Sequence, residues 1–96
     1  MVEIRKTELF ERWFTGLRDR RAVARIKSRI DRLQLGLLGD ARFVGEGVSE
    51  MRVDYGPGYR VYFVRRGTKV VILLAGGDKR TQSRDIEKAI ELAQML

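Results

Sequence analysis

The sequence predicts one α+β domain over residues 1–96, with elements in the order β-α-α-β-β-β-α and a small, largely antiparallel sheet packed against helices. Three patterns predict it. Apolar residues recur every three or four positions in the first third of the chain and again at its end. Between residues 50 and 64 they alternate with polar ones, and residues 69–75, "KVVILLA", are then almost wholly apolar. A chain of 96 residues leaves room for a single domain.

The elements follow in order. Val2 and Ile4 alternate with Glu3 and Arg5, a short strand. Leu9, Phe10, Trp13, Phe14 and Leu17 form one helix face, with Thr7 as N-cap, Glu8 in the first turn and Gly16 at the end. Trp13 and Phe14 belong to the core on this reading. A second helix, from about Asp19 to Leu35, buries Ala22, Val23, Ile26, Ile30 and Leu33. Beside that stripe runs another: Arg18, Arg21, Arg25, Arg29 and Arg32. Like charges at this spacing repel. A solvated face is the plain reading, and contact with phosphates or an acidic peptide is the functional one. Gly36, Gly39, Gly45 and Gly47 predict a loop with Phe43 and Val44 tucked inward. Met51, Val53 and Tyr55, then Val61 and Phe63, mark two strands joined by a turn at Gly56, Pro57 and Gly58. Residues 69–75 form a third strand, buried on both faces. Ile86, Ala89, Ile90, Ala93 and Leu96 make a closing amphipathic helix, capped by Thr81 or Ser83.

Composition excludes several chemistries. The chain has no cysteine and no histidine. Disulfides, thiolate nucleophiles and every serine–histidine arrangement are therefore ruled out, and the commonest metal ligand is absent. Neither a metal nor a cofactor is expected. The N-terminus is charged from Glu3 onward, unlike a signal peptide, and no apolar run approaches the ~20 residues that span a bilayer. A cytoplasmic protein without membrane contact is expected. The net charge of +7 points to a polyanionic partner: nucleic acid, ribosome or an acidic protein.

The strand pattern brings basic residues together. Odd positions of the "YGPGY" hairpin are apolar on both strands, so two registers compete. One sets Arg52 opposite Arg60 and Glu50 opposite Tyr62; the other sets Asp54 opposite Arg60. In either, Arg52, Arg60 and Tyr62 share one face, while Met51, Val53, Val61 and Phe63 turn to the helices. In the first register two arginines face each other, which costs stability unless an anion lies between them. The stretch "LLAGGDKRT" then leaves the third strand for the last helix, placing Lys79, Arg80 and Thr81 near a helix N-terminus, where anions bind. Its spacing is not that of a Walker loop. Singly, Gly76-Gly77 is a strand exit and Asp78 a turn residue. Together with Arg52, Arg60 and Tyr62 they read as a phosphate site.

"GVSEMRVDYGPGYRVYF" followed by "LLAGGDKRTQSRDIEKA" resembles the RelE/ParE toxin superfamily, in particular its HigB-like, phage-associated branch of addiction-module killer proteins. The resemblance covers nearly the whole chain and implies a RelE-like fold. It implies the toxin of a type II toxin–antitoxin pair that cuts mRNA in the ribosomal A site. A cognate helix-turn-helix antitoxin would neutralise it and carry the complex to operator DNA. Cleavage would use the ribose 2′-hydroxyl as nucleophile, which needs positioning and charge stabilisation but no metal. On that resemblance Arg60 is the central phosphate-binding arginine, Arg52 its helper, Lys79 the base after the last strand, and Tyr62 a stacking or proton-transfer group. Arg80, Thr81, Arg25 and Arg29 would contact substrate. The chain departs from relatives that use histidines or a tyrosine near the C-terminus. A phenol titrates near about 10, so Tyr62 would need help to act as a base; Glu50 and Asp78 are possible carboxylate partners.

Two other functions compete. A ParE-like toxin binds DNA gyrase without catalysis, and fold does not decide between the two. A basic module could grip nucleic acid or an acidic antitoxin segment through its arginine helix.

Overall fold

In the computed structural model, which describes residues 1–96, the chain runs through β1 (Glu3–Lys6), α1 (Glu8–Thr15) and α2 (Arg20–Gln34). It continues through β2 (Ala41–Gly45), β3 (Val48–Val53), β4 (Tyr59–Arg66) and β5 (Val70–Gly77). A short 3-10 turn at Lys79–Thr81 leads into α3 (Gln82–Met95). The five strands form one sheet in the order β1-β5-β4-β3-β2. Neighbours are antiparallel except β1 and β5, which run parallel. The α+β class is as expected, with one strand more than the sequence pattern indicates.

Local chemistry sets the helix starts. The Thr7 hydroxyl accepts from the Phe10 N–H at 3.1 Å and donates to the Leu74 carbonyl at 2.6 Å, so one side chain both caps α1 and ties it to β5. Asp19 caps α2 by accepting from the Arg21 and Ala22 N–H groups, and its other oxygen accepts from the Tyr55 hydroxyl at 2.9 Å.

Both faces of the sheet are covered. Phe10, Ile26 and Leu33 from α1 and α2 pack on Met51, Val53, Val61, Phe63, Val71 and Leu73. On the other face Ala89 and Ala93 of α3 pack on Val48, Tyr62, Val64, Leu74 and Ala75. A bulge opposite Tyr62–Phe63 turns the neighbours Leu74 and Ala75 to the same face. Each large apolar side chain so buried stabilises by roughly 1.5–3 kcal/mol before chain entropy is counted.

Three expectations are corrected. Residues 41–45 are not loop but an edge strand, paired with β3 through Ala41–Met51 and Arg42–Glu50. Glycine-rich flanks hid it: Gly45, Glu46 and Gly47 all take positive φ to turn β2 into β3, a geometry that favours glycine. Phe43 is not tucked inward but 68% exposed at that edge, while Val44 is half-buried on the cluster that holds Val48, Val64 and Ala89. Finally, the Tyr62 face is not an open polar surface, because α3 lies across most of it.

Candidate functional site

The register is the one that places Arg52 opposite Arg60 and Glu50 opposite Tyr62. Beyond the N-terminal end of α3 the two arginines reach the mouth of a cleft of about 360 Å³. Asp40, Arg52, Val53, Asp54, Gly58, Tyr59, Arg60 and Lys79 line it. The Lys79 N–H donates to the Pro57 carbonyl at 3.4 Å, docking the turn after β5 onto the hairpin loop. Gly58, at φ 78°, lies where a β-carbon would come within 2.9 Å of an Arg60 Nη1 and 3.7 Å of the Lys79 Cβ. That glycine lets the two bases approach the same space.

The repulsion between the arginines is met by carboxylates of the chain. Arg52 pairs with Asp40, Nη2 to Oδ1 at 3.0 Å, a half-exposed pair in which hydrogen bonding to Asp40 raises the guanidinium pKa further. Arg60 is only 7% exposed and lies 3.9 Å from the fully buried Glu50, Nε to Oε2. Its Nη1 donates to the Gly58 carbonyl. Glu50 also accepts from Gln82 Nε2 at 2.9 Å and Arg42 Nε at 3.0 Å. Burial pushes the Glu50 pKa up, but the hydrogen bonds from Gln82 and Arg42 and the Arg42 charge more than offset it, leaving it below the usual carboxylate value. Glu50 is thus an ionised carboxylate at neutral pH.

The C-terminal end of β5 is built for packing. A β-carbon at Gly76 would overlap the Trp13 ring, and one at Gly77 would overlap the Asp85 carboxylate. Both glycines admit neighbours; neither has a positive φ. At the helix N-terminus expected to hold an anion, Lys79, Arg80 and Thr81 line an open hollow of about 330 Å³ with Gln82, Ser83 and Arg84, and two acids bond groups of the turn that leads into it. Asp78 accepts from the Arg80 N–H at 2.8 Å, and the Thr81 hydroxyl donates to Asp85. Thr81 holds the N-cap position of α3 without a side-chain cap, its hydroxyl being taken by Asp85. The Arg80 guanidinium folds back on Asp78 at 3.0 Å, and this bond holds the Asp78 carboxyl below its ordinary value. Lys79 is exposed and makes no ion pair.

Other expected residues are placed elsewhere. Tyr62 is completely buried beneath α3, so in this fold it can neither stack on a substrate nor exchange a proton with one. Burial, then the Glu50 charge and the approach of the hydroxyl to that carboxylate, pushes its phenol well above the usual value, and the hydroxyl makes no well-formed hydrogen bond. The cleft's own phenol is Tyr59, which packs edge-on against Trp13 with ring centroids 6.3 Å apart. Arg29 is occupied: it donates to the carbonyls of Arg52, Leu38 and Asp40 and so holds the α2–β2 connection against β3. Arg25 lies over the Tyr55 ring at 4.9 Å, a cation–π contact, and with Ser28, Arg29, Arg32 and Asp54 lines a further, shallower depression of about 240 Å³. Val53 and Asp54 border both this depression and the cleft, so the arginine stripe of α2 adjoins the cleft.

Asp40, Asp54, Tyr59 and Gln82 were not singled out from sequence as site residues. The unread β2 hid Asp40, and Gln82 acquires its role only because α3 crosses the Glu50 face. No three carboxylates converge in a way that would hold a metal ion, and no helix is long and apolar enough to cross a membrane.

Comparison with known proteins places the chain. An uncharacterised protein of Haemophilus influenzae is 47% identical over 95 residues, covering 99% of this chain and 96% of that protein. Residues 12–96 match the model of the family described as phage derived protein Gp49-like (DUF891). The chain belongs to this phage-derived Gp49-like family, which is associated with toxin–antitoxin modules.

Proposed function

We propose that the chain is the toxin of a type II toxin–antitoxin pair and cleaves mRNA on the ribosome, in the cytoplasm. The carrying observation is the cleft that brings Arg52, Arg60 and Lys79 together. Such a group suits a phosphodiester: guanidinium and ammonium groups bind its oxygens and stabilise charge as the bond breaks. In the step proposed, the ribose 2′-oxygen attacks the adjacent phosphorus and the bond from phosphorus to the 5′-oxygen breaks. The products are a 2′,3′-cyclic phosphate and a 5′-hydroxyl. The nucleophile loses a proton and the leaving oxygen gains one. Arg60 and Lys79 hold the phosphate, with Arg52 beside them. Asp54 lines the same cleft without an ion pair, and on this proposal it takes the 2′ proton. Tyr62 has no part in this scheme. Arg25 lies where a longer RNA would continue along α2, and a cognate helix-turn-helix antitoxin covers these basic surfaces when the toxin is silent, carrying the complex to operator DNA.

Primer extension on an mRNA in a reconstituted translation reaction tests this. New ends within A-site codons, absent without ribosomes and absent with Lys79→Ala, support the nuclease. Intact mRNA with a toxic protein overturns it.

One observation favours the ParE-like alternative. Arg52 and Arg60 already have carboxylate partners, as they would on a surface that binds gyrase rather than a phosphate. Inhibition of purified gyrase by the wild-type protein, with mRNA intact, would establish that reading.

A further inference from the structure

We infer that Glu50 is a positioning residue for Arg60, and that Gln82 sets the carboxylate oxygen through which it acts. The inference rests on the reading of Arg60 as the phosphate-binding arginine. Its ground is the division of labour at one buried carboxylate. Oε1 accepts from Arg42 at 3.0 Å, and Oε2 accepts from Gln82 at 2.9 Å. That same Oε2 faces Arg60 Nε at 3.9 Å. Arg42 and Gln82 come from opposite sides, an edge strand and the start of α3, and so fix the carboxylate plane.

Stability alone gives a weak reason for such a group. A buried ion pair is often no more stabilising than apolar residues of similar volume, because desolvation offsets the attraction. What Glu50 does supply is direction. Nε faces Glu50 and Nη1 is bonded to the Gly58 carbonyl, Nη2 has no acceptor in the chain, and the residue lines the cleft. At 3.9 Å the Glu50–Arg60 contact is an ion pair and not a hydrogen bond. The buried Arg60 Nε–H has no hydrogen-bond partner. Arg60 is therefore oriented by charge while no hydrogen bond to Glu50 has to break when an anion arrives. Glu50→Gln would remove that charge and could turn an amide N–H₂ toward the Arg60 donor.

Two readouts on the purified full chain test this. The first is hydrogen exchange at the Arg60 Nε–H by nitrogen-15 arginine NMR, assigned with Arg60→Lys. The second is the steady-state rate of mRNA cleavage on translating ribosomes. Glu50→Gln is expected to speed that exchange about tenfold or more and to lower kcat by about a hundredfold, with KM changed less than about threefold. Gln82→Met, which leaves the carboxylate in place and serves if Glu50→Gln does not fold, should move both readouts in the same direction by smaller factors. Unchanged Arg60 exchange in the folded variants overturns the positioning role. So does a change in KM with kcat intact. If the wild type leaves mRNA intact, the nuclease reading falls while the exchange measurement still decides whether Glu50 positions Arg60.

Discussion

The ring of Trp13 lies directly on the backbone of Gly76, where no β-carbon would fit. The contact carries α1 onto the end of β5, beside the turn that delivers Lys79. Gly76→Ala must displace either the ring or the strand. Overpacking of this kind typically costs about 1–3 kcal/mol. Chemical denaturation followed by Trp13 fluorescence should show a lower midpoint, with the native emission shifted as the indole moves.

Lys79 separates function from folding. It is exposed and has no ion pair, so Lys79→Ala should change stability by less than about 0.5 kcal/mol. Cleavage should nevertheless be lost if the cleft holds a phosphate. Arg60→Ala is the poorer control, because it strips Glu50 of a buried positive partner and so confounds unfolding with inactivity. Thermal melts beside cleavage assays would make the distinction.

Tyr62→Phe should be tolerated. The hydroxyl is buried close to the Glu50 carboxylate without a well-formed hydrogen bond, so its removal should change stability by about 1 kcal/mol or less. A melting temperature close to that of the wild type, with cleavage within about twofold, is the expected result. A large loss of kcat with the fold intact would return the phenol to the mechanism.

Acid should loosen the molecule through Glu50. Its folded pKa lies below the ordinary 4.5, so the unfolded chain binds the proton more readily. The stabilisation is fully present above pH 4.5 and is lost as pH falls through the lower folded value. Asp19 and Asp78, lowered chiefly by hydrogen bonds from Tyr55 and Arg80, contribute with the same sign. Denaturant midpoints of wild type and Glu50→Gln between about pH 3 and 6 should converge on acidification; parallel curves would show that Glu50 does not titrate this way.

Arg29 and Arg25 should differ although they sit one helical turn apart. Arg29 serves three carbonyls, and Arg29→Ala should cost about 1–2 kcal/mol by removing those charged hydrogen bonds, water taking over the solvent-exposed acceptors. Arg25 makes one exposed cation–π contact, and Arg25→Ala should cost about 1 kcal/mol or less. Denaturation midpoints check both.

Local pattern alone determined much of this protein. Periods of three and four marked all three helices, because a helix that packs on a sheet must carry an apolar stripe. Thr7 and Asp19 were readable as helix starts because capping is local chemistry. Alternation in 50–64 established the hairpin and limited its register to two choices. Tertiary structure decided the rest. It chose the register with Arg52 opposite Arg60, since Asp40 and Glu50 could neutralise both, and Asp40 sits beside an edge strand that glycines concealed. It also placed α3 across Tyr62. That cover was half-legible: "VVILLA" is apolar on both faces and needs a partner for each, and Val64 and Leu74 offered the second surface. Tyr62 read as polar only because a phenol's role depends on what lies over it. Gly76 and Gly77 followed the same logic. A sequence shows that a side chain is missing, and only the packed fold shows that Trp13 and Asp85 occupy the space.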